Sequence, residues 1–479
     1  MNILMVTSEA LPFSKSGGLG DVVYSLSREY VKLKEKVSII VPYYLHVDYT
    51  KYKELKKVDS FEVKMNWRKL NVNLYSIDHE GITYFFIDNP YYFGRNTFYG
   101  FYDDGERFAF FINAVVAFIK KHSEEFDVIH LHDWQTAMLP CLLKVRYQNE
   151  NFGKIKTVLT IHNPLFKGYF SESSLFDFFE LPYSLFLNGS VRLDSQVSTL
   201  KAGIRYADKI TTVSKTHALE LMTPEGSFGL WYDITLRKDD FCGILNGMDY
   251  AEFNPNKDKM IPFNYDNKNF IEGKSKCKNE LCNKYNLDPT LPLYSIVSRL
   301  SDQKGLDLMF MMADFISYIG GNFCVLGSGE RYAEDYFNSL YMRNSKHMMV
   351  YIGYSDSIAH QLYAASDFFL MPSKFEPCGL GQMIAQRYGT LPLVRETGGL
   401  KDSVIPYNRD IDNRERANGF SFKEYNVCEA IKLVGESMNL YTTNQELINN
   451  LKLNAMNTNN QWKKSAEEYL ELYNTILHP

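Results

Sequence analysis

Short apolar runs alternate with longer amphipathic segments along most of the 479-residue chain. Apolar runs of this length are typical of buried strands, and the segments between them are typical of crossover helices. The alternation therefore predicts an α/β fold with parallel sheets. In the first half the predicted strands are Ile3–Val6, Val37–Val41, Thr83–Ile87, Val128–Leu131, Thr157–Ile161 and Lys209–Val213, with helices over Phe108–Lys121 and around Thr136–Asn149.

The strand pattern restarts in the second half, after a polar, Asn- and Lys-rich stretch over Pro255–Pro292. Two separate sets of strands predict two domains with a junction near Gly247–Pro255, and the segment Gln461–Leu477 predicts an amphipathic terminal helix. The strands predicted for the second half are Leu293–Val297, Gly321–Leu326, Met348–Ile352, Phe368–Met371 and Leu391–Val394.

Composition narrows the class of protein. A net charge of −5 argues against binding nucleic acid through overall electrostatics. No apolar run reaches 18 residues and the start lacks a leader pattern, so we expect neither membrane insertion nor export. The seven cysteines are scattered without a CxxC pair, which indicates neither a zinc site nor a disulfide framework and favours the cytoplasm.

A glycine-rich turn follows the first predicted strand, in the segment Lys15–Val22. Glycines let a ligand approach the backbone closely, and the following helix start offers unpaired N–H groups to an anion. Ligands of open parallel sheets bind beyond the carboxyl ends of the strands, where this turn lies. The segment therefore predicts a phosphate site, and an ordinary structural turn is the alternative.

Two basic residues follow the first predicted strand of the second half. Arg299 and Lys304 stand five residues apart on a strand-to-helix turn. An Arg grips two phosphate oxygens and a Lys acts as a point charge, so together they suit a diphosphate. A solvated basic loop is the alternative.

The segment Pro372–Gln382 follows the next apolar strand and combines Glu376 with Gly379-Leu380-Gly381. A carboxylate beside a phosphate site is unfavourable unless it serves another part of the ligand. A sugar joined to the phosphate would give it that role, because the carboxylate can bind sugar hydroxyls or stabilise an oxocarbenium-like centre. The alternative is an acid that favours the helix N-terminus. Thr397–Leu400 repeats the Gly-Gly-Leu pattern after a further strand.

Two histidine segments end strands in the first half, His130–Gln135 and Thr160–Asn163. His132 and Asp133 have no further clustered ligands in the sequence, so the spacing favours contacts to a sugar or ordinary buried histidines over a metal site. Asn246 lies in a predicted turn after another strand-like run.

Taken together, these motifs resemble those of the bacterial glycogen synthases, the ADP-glucose-dependent relatives of plant starch synthases. The resemblance runs in family order from residue 3 to about 420. It is carried by Lys15–Val22, His132–Trp134, Thr160–Asn163, Leu200–Gly203, Leu245–Gly247, Ser298–Gly305, Phe375–Leu380 and Thr397–Leu400.

The resemblance implies the GT-B architecture, with two Rossmann-like domains facing across a deep cleft. It implies an acceptor-side domain over 1–247, a donor-side domain over 248–460 and a helix over 461–479 that packs back on the first domain. The implied reaction is retaining transfer of glucose from ADP-glucose to the 4-hydroxyl of an α-1,4-glucan such as glycogen, with release of ADP. No metal, cofactor, nucleic acid or membrane is expected to take part.

Matched positions imply roles for individual residues. Arg299 and Lys304 are expected to hold the diphosphate and stabilise the leaving group, which two fixed cations can do without a metal. The expected contacts to phosphate and donor sugar come from Lys15, Gly17, Gly18 and Asp21, and the expected contacts to the glucosyl hydroxyls come from Glu376, Cys378, Gly379, Leu380 and Asn246. His162 is expected to lie against the reacting carbon, with Asn163 beside it. Asp133 is expected to contact the acceptor, and Tyr354 is expected to stack on the adenine.

The chain departs from the family pattern at three places. Ile384 stands where many retaining GT-B enzymes carry a second Glu, and Gly381 stands where these synthases commonly carry Thr. Pro164–Lys167 replaces the usual Leu-Ala-Tyr-Gln after His162-Asn163, which makes the acceptor the least constrained part of the prediction.

Three other functions fit parts of the sequence. A relative that uses UDP-glucose or a small sugar acceptor shares the same motifs. A Rossmann oxidoreductase needs Gly-x-Gly-x-x-Gly after the first strand, whereas this chain has Lys-Ser-Gly-Gly-Leu-Gly. A catalytically inactive glucan-binding protein is disfavoured because the charged residues assigned to chemistry are all present.

Overall fold

The computed structural model describes residues 1–122 and 125–478, and the chain divides into two compact units. Unit 1 comprises Met1–Gly247 and the segment from Trp462 onward, and unit 2 comprises Met248–Gln461. Each unit has its own hydrophobic core.

The strands are β1 (Asn2–Val6), β2 (Lys36–Pro42), β3 (Lys56–Met65), β4 (Arg68–His79), β5 (Ile82–Asp88), β6 (Val128–His132), β7 (Lys156–Ile161), β8 (Tyr169–Phe170), β9 (Arg192–Leu193), β10 (Gln196–Ser198), β11 (Lys209–Thr212), β12 (Phe241–Gly243), β13 (Leu293–Val297), β14 (Asn322–Gly327), β15 (Met348–Ile352), β16 (Phe368–Met371), β17 (Leu391–Arg395) and β18 (Phe420–Phe422). The α-helices are α1 (Gly18–Lys32), α2 (Pro90–Phe93), α3 (Asp104–Lys121), α4 (Leu139–Cys141), α5 (Ser174–Phe179), α6 (Ser184–Leu187), α7 (Thr199–Tyr206), α8 (Lys215–Leu221), α9 (Trp231–Leu236), α10 (Phe270–Tyr285), α11 (Leu306–Tyr318), α12 (Arg331–Asn344), α13 (Asp356–Ala365), α14 (Gly381–Arg387), α15 (Gly398–Ser403), α16 (Val427–Thr443), α17 (Gln445–Asn457) and α18 (Trp462–Leu477).

Unit 1 is built on a nine-stranded sheet with the order β12-β11-β7-β6-β1-β2-β5-β4-β3. The strands from β12 to β5 pair in parallel, which explains their near-continuous apolar sequences, because helices cover both faces of such a sheet. The strand order reverses at β1, which lies between β2 and β6. Loops that follow β1 and β6 therefore flank a topological switch point, the usual place for a ligand.

Unit 2 is built on a parallel six-stranded sheet with the order β15-β14-β13-β16-β17-β18. Its strand order reverses at β13, so the loops after β13 and β16 flank a second switch point. The strands predicted for both halves are all confirmed, within one residue at either end.

The helix predicted around Thr136–Asn149 is present but shorter, over Leu139–Arg146, and only its first turn is α-helical. A single α-helical turn, α4, is followed by a π-helical turn over Leu142–Arg146, where the Tyr147 amide donates to the Leu142 carbonyl (3.1 Å). Pro140 lies in the first turn of α4, where a backbone amide would have no intrahelical acceptor, so the proline is tolerated there. The apolar spacing was correct, but the backbone adopts the wider turn.

The terminal helix α18 packs into the core of unit 1. Its buried residues include Trp462, Tyr469 and Tyr473. The Tyr473 hydroxyl lies 2.8 Å from the Tyr30 hydroxyl and 2.6 Å from His130 Nδ1. The last helix of the chain thus completes the core formed by the first strands.

A buried ion cluster joins three elements of unit 2 around Asp367, which directly precedes β16. Lys278 Nζ and Lys452 Nζ each lie 2.7 Å from a different oxygen of the Asp367 carboxylate. Burial alone would raise the pKa of Asp367, but the two ammonium groups hold it well below its usual range.

Asp367→Asn is expected to lower the free energy of unfolding by about 3–5 kcal/mol, because it leaves two buried ammonium groups without their counter-charge. Chemical denaturation of the full chain measures this. Asp412→Asn is the matched control, since Asp412 and its partner Arg414 are both half-exposed and should contribute little. Equal losses for the two variants would contradict the prediction.

Candidate functional site

Two loops of unit 2 meet because β13 and β16 are parallel neighbours. The loop after β13 turns through Asp302–Lys304 into Gly305, which has φ +78°. A Cβ on Gly305 would lie 2.1 Å from the Pro372 carbonyl oxygen, so this approach requires glycine. The Lys374 amide donates to the Gln303 carbonyl (2.9 Å), which fixes the two loops side by side.

This pairing brings together two residues predicted to be catalytic. Lys304 Nζ lies 2.6 Å from Glu376 Oε2, and the Ser373 hydroxyl donates to the same oxygen (3.0 Å). Glu376 is buried, and its other oxygen, Oε1, accepts no hydrogen bond from the described residues. One carboxylate oxygen thus holds Lys304 while the other is available for a ligand hydroxyl.

Arg299, the third charged residue predicted here, is exposed. Its guanidinium forms no ion pair with any residue in the described ranges. An unpaired guanidinium retains all its donors for an anion. The structure therefore brings Lys304 to Glu376, whereas Arg299 contacts neither.

The two Gly-Gly-Leu segments differ in what their glycines do. A Cβ on Gly398 would lie 2.0 Å from the Glu376 carbonyl, and one on Gly399 would lie 2.0 Å from the Cys378 carbonyl. These glycines let the segment after β17 pack against the loop after β16, which contains Glu376. In contrast, a Cβ on Gly17 or Gly18 would meet nothing within 4 Å, so internal packing does not demand glycine at the first loop.

The backbone after Glu376 turns at Gly379, where φ is +73°. Cys378 is buried and its thiol donates to the Gly379 carbonyl (3.3 Å). Leu380 directly precedes α14, and a Cβ on Gly381 would lie 2.9 Å from the Phe369 ring. Phe369 therefore fills the space that a Thr side chain needs, which explains the departure at Gly381.

Cys378→Ser is expected to be tolerated or mildly impaired, because a hydroxyl can donate to the same carbonyl and no thiolate is required. Steady-state turnover of the variant measures this. Its control is Cys428→Ser, which changes an exposed thiol in the same unit. Loss of activity in Cys378→Ser alone would show that the sulfur itself is needed.

Tyr354 lies in the loop after β15, at the edge of the unit 2 sheet. Its side chain is 79% exposed, and its hydroxyl donates to Asp356. Ser355 caps the next helix, α13, by accepting from the Ile358 amide (3.3 Å). An exposed aromatic ring at such a turn suits stacking on a base.

In unit 1, the first loop is organised by Glu9, a residue that the sequence analysis missed. The buried Glu9 carboxylate accepts hydrogen bonds from the Ser16 amide and hydroxyl, from the Gly17 amide (3.2 Å) and from the Tyr99 hydroxyl (2.6 Å). Two amides at the predicted phosphate turn are therefore already occupied by a carboxylate. An acidic residue three positions after the end of β1 was the available signal.

Lys15 and Asp21 form an exposed pair, with Lys15 Nζ 2.8 Å from Asp21 Oδ1. Asp21 lies in the first turn of α1. Lys15 is exposed, and surface ion pairs of this kind contribute little stability.

Asp133, His162 and Asn163 come together because β6 and β7 pair in parallel. Asp133 Oδ1 accepts from the His162 amide (2.8 Å) and the Asn163 amide (3.3 Å). Asp133 has φ +57°, a strained conformation for a residue with a side chain. Burial raises the pKa of Asp133 to about 7, because its effect is larger than the opposite effect of the two amide hydrogen bonds.

Three histidines near Asp133, namely His130, His132 and His162, have neighbouring rings. His132 Nδ1 lies 3.0 Å from His162 Nε2, and the His130 and His132 rings are 4.3 Å apart. Burial lowers the pKa of His162 and of His130 to about 3, and that of His132 well below its usual value. All three are therefore neutral at physiological pH.

Asn246 lies beyond β12, and its backbone amide donates to the Val213 carbonyl (3.4 Å). Its side-chain oxygen is buried without a hydrogen-bond partner among the described residues. Such a group is costly unless a ligand donates to it. Asn163 differs, because its side-chain oxygen already accepts from the Leu165 amide (3.0 Å).

The described residues contain no group of three or more His, Cys, Asp or Glu arranged to hold a metal ion. Within the same residues, no helix combines the length and apolar character that a membrane crossing requires.

Comparisons with known proteins agree on one family. A family model described as the starch synthase catalytic domain matches residues 2–236, and one described as glycosyl transferases group 1 matches residues 278–454. A glycogen synthase of Clostridium kluyveri is 41% identical over 480 residues, which is 100% of both chains. One of Clostridioides difficile is 42% identical over 487 residues, covering 99% of this chain and 100% of its own.

Solved structures give the same result. The catalytic domain of starch synthase IV from Arabidopsis thaliana, bound to ADP and acarbose, matches with a TM-score of 0.90 and 31% identity, over 100% of this chain and 99% of that one. A sucrose-phosphate synthase from Thermosynechococcus elongatus matches with a TM-score of 0.61 at 15% identity, over 99% of this chain and 98% of that one, which shows a shared fold alone. The predicted two-domain, GT-B-like α/β fold is thereby confirmed.

Proposed function

Since the chain belongs to the glycogen synthase family of glycosyltransferases, we propose that it transfers glucose from ADP-glucose to the non-reducing 4-hydroxyl of an α-1,4-glucan, with retention and release of ADP. The ADP and acarbose named for the Arabidopsis neighbour support a nucleotide and a glucan as ligands.

The contact between Lys304 and Glu376 is the observation that carries this proposal. One cation and one carboxylate, fixed side by side at the carboxyl ends of β13 and β16, suit a ligand with an anionic part joined to a polyhydroxylated part. A nucleotide sugar has that composition. Glu376 Oε1 binds glucosyl hydroxyls in this proposal, with the backbone near Gly379 and Leu380 completing the sugar site.

Departure of ADP requires stabilisation of a developing diphosphate charge. Lys304 supplies a preorganised ammonium and Arg299 an unpaired guanidinium, and fixed cations of this kind can replace a metal in that role. We therefore propose a metal-independent reaction, with Tyr354 stacking on the adenine.

The residues of unit 1 act on the sugar and the acceptor in this proposal. Lys15 and the open backbone at Gly17 and Gly18 contact the donor phosphate and sugar. The buried, unpaired oxygen of Asn246 accepts from a sugar hydroxyl, and Asp133 faces the acceptor. A carboxyl group whose pKa is about 7 can exchange a proton near neutral pH.

We further propose a cytoplasmic location. None of the seven cysteines, all of which lie within the described residues, forms a disulfide, which suits a reducing compartment.

The deciding experiment measures incorporation of radiolabelled glucose into glycogen from ADP-glucose and from UDP-glucose, each with and without EDTA. We expect strong, EDTA-insensitive incorporation from ADP-glucose. Preference for UDP-glucose would overturn the proposed donor, and inhibition by EDTA would overturn the metal-independent reaction. No incorporation from either donor would overturn glucan synthesis.

A further inference from the structure

We propose that His132 is a positioning residue that sets the tautomer of His162, so that His162 carries its proton on Nδ1 and offers that N–H to the substrate. The substrate group is a sugar oxygen, and this part of the inference rests on the proposed function. The hydrogen bond between the His132 and His162 rings is independent of the proposed function.

The sheet brings the two rings together. His132 ends β6 and pairs in register with Thr160, two residues before His162. The His132 ring is fully buried, and its Nδ1 lies 3.0 Å from His162 Nε2. The Nδ1 atom of His162 makes no hydrogen bond to any residue that the structure describes, so it remains available to a ligand.

Only one of the two rings can donate the shared proton. Both imidazoles are neutral, so each carries a single N–H. His132 Nε2 is buried and has no partner within the described ranges. If His132 accepted at Nδ1, its own proton would be on Nε2, and the protein would bury an unpaired N–H.

Unpaired buried N–H donors are rarer in native structures than unpaired buried acceptors. His132 therefore donates from Nδ1, and His162 accepts at Nε2. It follows that the His162 proton is on Nδ1.

The surroundings hold His132 in this orientation. Its backbone amide donates to the Thr136 hydroxyl (2.8 Å), and the His130 ring packs against it. His130 is itself fixed at both nitrogens, by the Thr160 hydroxyl (2.6 Å) and the Tyr473 hydroxyl (2.6 Å). The only hydrogen bond that the His132 ring makes to the described residues is the one to His162.

Two substitutions separate positioning from packing. In His132→Asn, an amide N–H takes the place of Nδ1–H but leaves a cavity. In His132→Leu, the side chain fills the volume but cannot donate. If His132 positions His162, the Asn variant is the more active and the Leu variant loses about 10- to 100-fold in kcat with an unchanged KM for glycogen. If His132 only packs, the Leu variant is at least as active as the Asn variant, which overturns the proposal.

The tautomer itself is measured by NMR of the full-length protein labelled with ¹⁵N-histidine at neutral pH, with His162 assigned from the spectrum of His162→Gln. We expect the Nδ1–H tautomer for His162 in the wild type and in His132→Asn, and a mixture in His132→Leu. A wild-type His162 protonated on Nε2 overturns the proposal even if both variants fail to fold. If no donor supports glucan synthesis, the spectrum still decides the tautomer.

Discussion

Lys304→Ala is expected to lower kcat about 100- to 1,000-fold and to weaken ADP binding, with little effect on the KM for glycogen. The ammonium of Lys304 is the fixed charge proposed to stabilise the departing diphosphate, and loss of one such preorganised group typically costs this much. Turnover with ADP-glucose and calorimetric titration with ADP provide the two measurements.

The control for Lys304→Ala is Lys346→Ala, which removes an exposed lysine from the same unit. Thermal unfolding of both variants shows whether the loss of the ion pair between Lys304 and Glu376 lowers the stability of the protein. Wild-type turnover in Lys304→Ala would remove this residue from the leaving-group role.

Glu376→Ala is expected to lower kcat about 1,000-fold or more while ADP still binds. The Oε1 atom, which accepts nothing from the described residues, is the proposed contact to the glucosyl hydroxyls, and ADP has no glucosyl group. Losing the carboxylate also releases Lys304 from its ion pair, so ADP should bind as well as before or more tightly. This is the opposite of the effect expected for Lys304→Ala.

Glu376→Gln is the matched control for shape. It keeps the size of the side chain and removes the charge, so its turnover should fall almost as far as that of Glu376→Ala. Near-normal turnover in either variant would reduce Glu376 to an acid that favours the start of α14.

The parallel strands could be predicted from the sequence because burial on both faces makes each one a continuous apolar run. The hairpin of β3 and β4 was missed for the opposite reason. It lies at the edge of the sheet, pairs antiparallel, and exposes alternate residues such as Ser60, Glu62 and Lys64. A strand that is half polar does not stand out from a loop by composition.

The candidate site was predictable as a set of loops but not as a set of contacts. Glycine motifs after strands predicted loops at the carboxyl ends of the strands in both sheets. They did not show that Glu9 occupies amides of the first loop, or that Gly398 and Gly399 serve packing. These details depend on distances between residues far apart in sequence, which a local motif does not contain.

The burial of Tyr473 in the core of unit 1 has a consequence for folding during synthesis. The ribosome completes all of Met248–Gln461 before it reaches α18, so the first unit cannot close its core around His130 and Tyr30 until α18 has been made. Domains generally fold as units and in order of synthesis. Here the second unit is translated in full while the first still lacks a helix, and a nascent chain stopped before Trp462 leaves the apolar surface of the first unit uncovered.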